Sequence, residues 1–435
     1  MKHLGRCGRH RHRQVKVEKQ SLSLSHLCEF IRLIKWIKLS SQCRCTNFLK
    51  PACFKETGRG MMATRKINKG EVIVSVPYKI LITAKSVLQS NLGLIIQRSK
   101  WSFTPYQLLT LFLVVEKIKG ENSFWFPYIS TLPDEYSTPL FFTPAEISFL
   151  TPQAKHLAEK YRQRFDIASQ QMLDFLEMFC PSHFSLVSLD DLRLAWSAVA
   201  TRSVYLLTES HPSIFLHPDE SNVALAPFLD LLNHKDTAQV KAGMNKTSCC
   251  YQIRTENSCQ KNDEVFICYG PHDNTKLFIN YGFTLKQNIY NVFHFTIDDV
   301  KLCLSNVASW DKKVAIIKQC SLDENFICGS DGISWSLKVG LKIAVLEWKL
   351  LSSWKSLLQD IPLSEENEMS ALELARKLFS CALAKVQEHL HIVLKQSDSP
   401  HFNILLSLAE QDVLLLESAL KSLINSKVQY KDVAG

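Results

Sequence analysis

The sequence predicts an α+β fold in which short β-strands near residues 50–90 and 205–300 flank a helical block, and a helical region follows. Three observations lead there. Turn residues alternate with β-branched runs over residues 50–83. Apolar residues recur at helical spacing over about 151–179 and 188–205. From about Ala308 onward helical periodicity dominates, and no repeat of fixed period interrupts it. The chain has 435 residues, which at roughly 150 per domain gives two or three folding units. With 46% hydrophobic and 21% charged residues, 14 Gly and 15 Pro, the composition excludes disordered and collagenous classes.

Charge sets the N-terminal segment apart. Between Met1 and Lys19 seven basic residues stand against Glu18, a net +6, whereas the remaining 416 residues hold only +3 of the total +9. Such a leader is expected to be a solvated tail able to touch acidic surfaces, nucleic acid or an import receptor, while the nearly neutral body is not built to bind DNA. The stretch Leu22–Leu39 is broken by Glu29, Arg32, Lys35 and Lys38, which argues against a secretory signal. Within it Leu27, Phe30, Ile31, Ile34 and Ile37 fall at helical spacing, predicting an amphipathic helix that ends near Ser40-Ser41.

The next elements follow from local punctuation. Thr57-Gly58-Arg59-Gly60 and Ile67-Asn68-Lys69-Gly70 read as turns, and Glu71–Pro77 as a β-branched strand. Thr104-Pro105 is a cap with Pro at the first helical position, starting a helix that runs through Ile118. Its apolar run Leu108–Val115, broken by Thr110, is far shorter than the roughly 18 residues of a membrane span. Ser188 with Asp191 three residues on caps the helix reaching about Tyr205. Cys250–Thr255 alternates as a strand, Lys261-Asn262-Asp263 turns, and Glu264–Tyr269 reads as a further strand. Asp273 caps a short helix ending at Gly282, Ile289–Ile297 is strand-like, and three or four helices follow, including one from Ser364 to Lys395.

Three segments could bear chemistry. Gly58-Arg59-Gly60 lets the backbone approach a ligand, although a plain hairpin turn would look the same. Ala226–His234 is an apolar run ending on Asn233-His234, either a helix C-terminus with a satisfied histidine or a segment whose backbone grips something. Glu264–Gly270 delivers Tyr269 just before a glycine, and Tyr281-Gly282-Phe283 repeats the aromatic-Gly pattern, which suits core packing or an aromatic-walled channel for an amine-tipped side chain. Other chemistries find no support. His211 with His217, and His389 with His391, lack metal spacing with a third ligand, and neither a GxSxG elbow nor a GxxxxGK[ST] loop occurs. The 14 cysteines, including Cys43/Cys45 and Cys249/Cys250, lack paired zinc-ligand spacing and read as reduced thiols; no metal is expected.

In order, Gly58-Arg59-Gly60, Arg202, Asp230-Leu231-Leu232-Asn233-His234, Tyr269-Gly270 and Tyr281-Gly282-Phe283 resemble the motifs of SET-domain protein lysine methyltransferases. The likeness is to the class typified by Rubisco large-subunit methyltransferase. It implies a split SET domain of short β-sheets over 26–300, a helical insert at about 90–195, an all-α substrate-binding domain over 301–435, and a tail at 1–25. It implies S-adenosylmethionine as cofactor, held by Gly58, Arg59, Gly60, Arg202, Asp230, Asn233, His234 and Tyr269. Tyr269 matches the catalytic tyrosine, and Tyr281 and Phe283 match the walls of the lysine channel. Lys235 departs from the small polar residue often found after the Asn-His pair, and the cysteine-rich post-SET zinc motif is missing. The implied partner is a histone or non-histone protein in nucleus and cytoplasm, with no membrane and with nucleic acid at most through the tail. The competing expectation is an interaction protein that keeps the scaffold without turnover.

Overall fold

The computed structural model describes residues 21–40, 48–207, 209–217, 222–304 and 308–432; the basic leader through Lys19 and the Cys43/Cys45 pair lie outside them. The chain divides into two compact units, one built from residues up to 134 and 168–269, the other from 135–167 and 270–435.

The first unit is organised as small sheets around helices. Ser21–Ser23, Leu49–Phe54 and Gly58–Ala63 form one antiparallel sheet; in a second, Cys250–Thr255 lies between Val72–Pro77 and Val240–Asn245. A third places Val223–Leu225 between Ile82–Thr83 and Ser203–Tyr205. The helices obey their local signals. Thr104 and Gln107 form a reciprocal capping box on Pro105–Ile118, and Ser188 and Asp191 do so on Leu189–Arg202, each satisfying N–H groups that a helix start leaves open. These helices bury Phe112 and Trp196, and Trp196 meets the Tyr106 ring at 5.4 Å. Each such fully buried ring contributes about 1.5–3 kcal/mol.

This arrangement aims two chain segments at one place. Leu189–Arg202 ends on Arg202 and runs straight into Ser203–Tyr205, whose ladder partner Val223–Leu225 feeds the apolar run toward Asn233. The end of a helix and the run after a buried strand are therefore neighbours by register.

The second unit is helical, as expected, with one small addition. Trp335–Val345, Glu365–Leu394 and Phe402–Asp432 enclose a core that includes Phe295, Phe326 and Phe379. Gly340 is required there, because a Cβ would lie 2.3 Å from the Phe326 ring. The addition is an antiparallel sheet of Val292–His294, Ile327–Gly329 and Gly332–Ile333: the first lies within the strand-like run expected over 289–297, whereas the other two, inside the region expected to be all-α, are too short to leave a period-2 signal.

Three strand expectations are corrected. Gly58-Arg59-Gly60 is not the turn itself: the chain turns before it, and Gly58, Arg59 and Gly60 pair with Phe54, Cys53 and Ala52. The run Glu264–Tyr269 is a two-residue strand, Phe266–Ile267, because it changes partners. Glu264 bridges to Met62 and Val265 N–H donates to Met61, and then the chain crosses to Asn233–His234. Ile289–Ile297 shortens to Val292–His294, since Asn288 ties the backbone of Tyr290 and Asn291 into a turn and Thr296 starts a capped helix.

Candidate active site

The site of the first unit starts from the hairpin. Gly58 has φ +69°, a left-handed conformation that favours glycine, and a Cβ there would meet nothing within 4 Å. Gly60 is glycine for a different reason. A Cβ would stand 2.5 Å from Glu264 Oε1 and 2.7 Å from Asn233 Nδ2, so these two side chains keep their present positions against the strand only without one.

The apolar run reaches the same place by a bend. Phe228, fully buried, takes φ +74°, and Leu229–Leu231 forms a single 3₁₀ turn before the chain extends through Asn233–His234. That conformation is costly for an aromatic residue and is held by the surrounding core. The strand Asn233–His234 pairs in parallel with Phe266–Ile267, and Lys235 N–H donates to Ile267 at 2.9 Å. Of the alternatives open in the sequence, the strand replaces the helix C-terminus. Asn233 Nδ2 donates to the Arg59 carbonyl at 2.9 Å and to Glu264 Oε1 at 2.8 Å, clamping the hairpin.

Tyr269 is fixed at both ends. Its backbone N–H donates to His234 Nδ1 at 3.0 Å, its hydroxyl donates to the Leu232 carbonyl at 2.7 Å, and its ring lies 5.1 Å from the His234 ring. Since His234 Nδ1 accepts, a neutral imidazole bears its proton on Nε2. With its hydrogen directed to Leu232, the Tyr269 oxygen keeps lone pairs for another contact.

Asp230 forms a second centre beneath them. Its side chain is 2% exposed, and Oδ2 accepts from Tyr128 Oη at 3.0 Å and from Arg202 Nη1 at 3.4 Å. Arg202 Nη1 also donates to the Asp230 carbonyl at 3.0 Å. Burial pushes the Asp230 carboxyl above the usual carboxylate range, against the pull of Arg202, Tyr128 and Arg59. Its Oδ1 is buried with no hydrogen-bond partner among the described residues. Arg59 donates to the Thr131 carbonyl at 3.1 Å, and Thr131 Oγ1 donates to the Tyr128 carbonyl at 2.7 Å. The chain Arg59, Thr131, Tyr128, Asp230, Arg202 thus links the hairpin to the helix end.

The structure therefore brings together Gly58, Arg59, Gly60, Arg202, Asp230, Asn233, His234 and Tyr269. Tyr281 and Phe283 belong to the second unit, on either side of Gly282, with rings 6.3 Å apart and Tyr281 6.1 Å from the His272 ring. Gly282, φ +77°, caps that helix, and a Cβ would lie 2.9 Å from the Ser137 backbone. Sequence reasoning missed Thr57, Tyr128 and Glu264. Tyr128 sits in the aromatic-rich Phe124–Tyr128, which reads as core, and Glu264 reads as an ordinary strand start. Among the described residues no group of three or more His, Cys, Asp or Glu could hold a metal ion, and no helix is long and apolar enough to cross a membrane.

Comparison with known proteins places these contacts in context. Residues 58–270 match the SET domain family. The chain is similar to SET domain-containing protein 4 of Homo sapiens, 38% identical over 383 residues that cover 86% of each protein. It is similar to the protein of the same name from Artemia parthenogenetica, 30% identical over 85% of this chain and 91% of that one. Actin-histidine N-methyltransferase of Gallus gallus is 29% identical over 63% of this chain and 47% of its own length. Among solved structures, the SET domain of LSMT bound to lysine and AdoHcy covers 94% of this chain and 93% of its own at TM-score 0.67 and 18% identity. Rubisco LSMT bound to sinefungin and monomethyllysine covers 92% and 93% at the same TM-score, a likeness of fold.

Proposed function

This chain belongs to the SET-domain methyltransferase family, and from that membership we propose that it is an S-adenosylmethionine-dependent protein-lysine N-methyltransferase. The observation that supports this most is the doubly anchored Tyr269, its hydroxyl donating to Leu232 while Asn233 clamps the Gly58–Gly60 strand beside it.

The residues suit the cofactor. Arg59 and Arg202 are fixed guanidinium groups for a carboxylate, and the orphan Oδ1 of Asp230 is an acceptor for an ammonium, the two charges of an amino-acid end. The parallel pairing of Asn233–His234 with Phe266–Ile267 fixes the backbone of the Asn-His pair, which the motif resemblance assigns to the cofactor. S-adenosylmethionine supplies a methyl group on a sulfonium, open to in-line displacement by an amine.

What the chain contributes is alignment. Tyr269 Oη, with its proton on Leu232, offers lone pairs to C–H donors and to the incoming amine rather than serving as a base. The Leu232 carbonyl, held by that bond, is a second acceptor beside it. A lysine amine must be neutral to attack, and its ordinary pKa is about 10.4. Desolvation between aromatic rings favours the neutral form; Tyr281 and Phe283 are proposed for the substrate side chain on the strength of the motif resemblance.

The proposed substrates are histone or non-histone proteins in nucleus and cytoplasm, with nucleic acid touched at most by the basic leader. A second reading, transfer to a histidine nitrogen, is favoured by the similarity to proteins named actin-histidine N-methyltransferase. Incubation of the full chain with isotopically labelled S-adenosylmethionine and a protein extract, followed by peptide mass spectrometry, separates the readings. Label on lysine supports the proposal, label on histidine replaces it with the second, and no label on any protein supports a scaffold without turnover.

A further inference from the structure

Methyl transfer asks for no carboxylate beside the Gly58–Gly60 strand, yet Glu264 stands there half-buried. Both of its oxygens accept from Thr57 Oγ1, at 2.8 and 2.7 Å, and Oε1 also accepts from Asn233 Nδ2 at 2.8 Å. Its own backbone bridges to Met62 on the far half of the same strand. One residue therefore joins the tip of the hairpin and the Asn233–His234 segment through its side chain and the strand behind through its backbone, and Oε1 fills the space a Cβ on Gly60 would need. The three contacts come from elements far apart in sequence, so no local signal could hold them in register.

We propose that Glu264 is a positioning residue that fixes the spacing between the Gly58–Gly60 strand and Asn233–His234, and through it the affinity for S-adenosylmethionine. The inference rests on the cofactor reading above. It is a matter of acceptor geometry rather than charge. Burial raises the Glu264 pKa, Thr57 and Asn233 oppose that rise, and Glu56 adds to it. A protonated carboxyl satisfies the same partners, because the Thr57 hydroxyl can turn to accept while the remaining oxygen accepts from Asn233. A glutamine does the same with its amide. An alanine takes the Glu264 acceptor from the Thr57 hydroxyl and from the Asn233 amide, which keeps its bond to the Arg59 carbonyl, and opens a gap beside Gly60.

The test uses the full chain and the variants Glu264→Ala, Glu264→Gln and Thr57→Val, with Thr57 exposed and its replacement therefore tolerated by the fold. Calorimetric titration with S-adenosylmethionine and hydrogen exchange at the backbone amides of residues 58–60 are both measured. Expected are a Kd raised about tenfold in Glu264→Ala, about threefold in Thr57→Val and by less than about threefold in Glu264→Gln, with the same order in exchange rate. At saturating cofactor kcat stays within about threefold, because the loss lies in cofactor binding. A purely architectural role would lower the number of binding sites per chain and leave Kd unchanged, and that result overturns the proposal. So does wild-type exchange at residues 58–60 in Glu264→Ala. If the unmodified chain binds no S-adenosylmethionine, the cofactor reading fails, and the exchange measurement still decides whether Glu264 sets the spacing. Should Glu264→Ala not fold, equal Kd values for Thr57→Val and the unmodified chain contradict the proposal.

Discussion

The Tyr269 hydroxyl donates to the Leu232 carbonyl at 2.7 Å while the Tyr269 backbone N–H donates to His234 Nδ1 at 3.0 Å. Two bonds at opposite ends of one residue fix both the position of the ring and the direction in which its oxygen lone pairs point. Removing the hydroxyl leaves the backbone bond and the ring contact with His234 in place. Tyr269→Phe is therefore expected to lower turnover about 100-fold, roughly 2.7 kcal/mol in barrier, with cofactor affinity within about threefold. Single-turnover rates beside calorimetric Kd values check both parts; wild-type turnover by the variant would remove Tyr269 from the reaction.

Tyr128 is a supporting group whose loss is felt through Asp230. Its hydroxyl donates to a carboxylate that is 2% exposed and ion-paired with Arg202. Tyr128→Phe removes one hydrogen bond to a charged group and is expected to cost about 2 kcal/mol in chemical unfolding. It is also expected to weaken cofactor binding, because Arg202 takes its position from the same carboxylate.

Gly60 and Gly58 make opposite predictions from the same motif. Gly60→Ala places a methyl group 2.5 Å from Glu264 Oε1 and 2.7 Å from Asn233 Nδ2, so these two side-chain ends must shift and lose their present contacts, and cofactor binding is expected to fall about tenfold. Gly58→Ala meets no atom within 4 Å and bears only the left-handed φ, about 1–2 kcal/mol of stability. Calorimetry and thermal unfolding of the pair distinguish the two effects.

The second unit contains a pH-dependent element. Burial and the neighbouring Asp273 push the Asp412 carboxyl up to about 7, against about 3.9 in an unfolded chain. The folded state thus holds this proton more tightly. The group's contribution to stability is fully present below about pH 4 and is lost as pH rises through about 7. Asp412→Asn removes the titration, so its stability relative to the unmodified chain is expected to be more favourable at pH 8 than at pH 5 in urea unfolding. Equal differences at the two pH values would show that the carboxyl does not titrate there.

What the sequence disclosed and what it hid divide along local and long-range lines. Thr104-Pro105, Ser188 with Asp191, and Asp273 with Gly282 are caps written within a few residues, and their helices start or end where those residues place them. The site motifs were legible as an ordered set, because glycine, Asn-His and Tyr-Gly each constrain the backbone nearby. Glu264 and Tyr128 were not, since their partners Thr57, Asn233 and Asp230 lie between 31 and 207 residues away. The strand Glu264–Tyr269 was overextended for the same reason: an alternating run shows that it pairs, not that it pairs first with Met61–Met62 and then with Asn233–His234.

Calorimetric titration of S-adenosylmethionine into the purified full chain, with Asn233→Ala and Arg202→Ala alongside, tests the central claim most directly. Binding with a Kd on the order of micromolar, about −8 kcal/mol, and weakened at least about tenfold in both variants, is the expected result. A folded chain that takes up no cofactor, or variants that bind it as tightly as the unmodified protein, would contradict the assignment of this site.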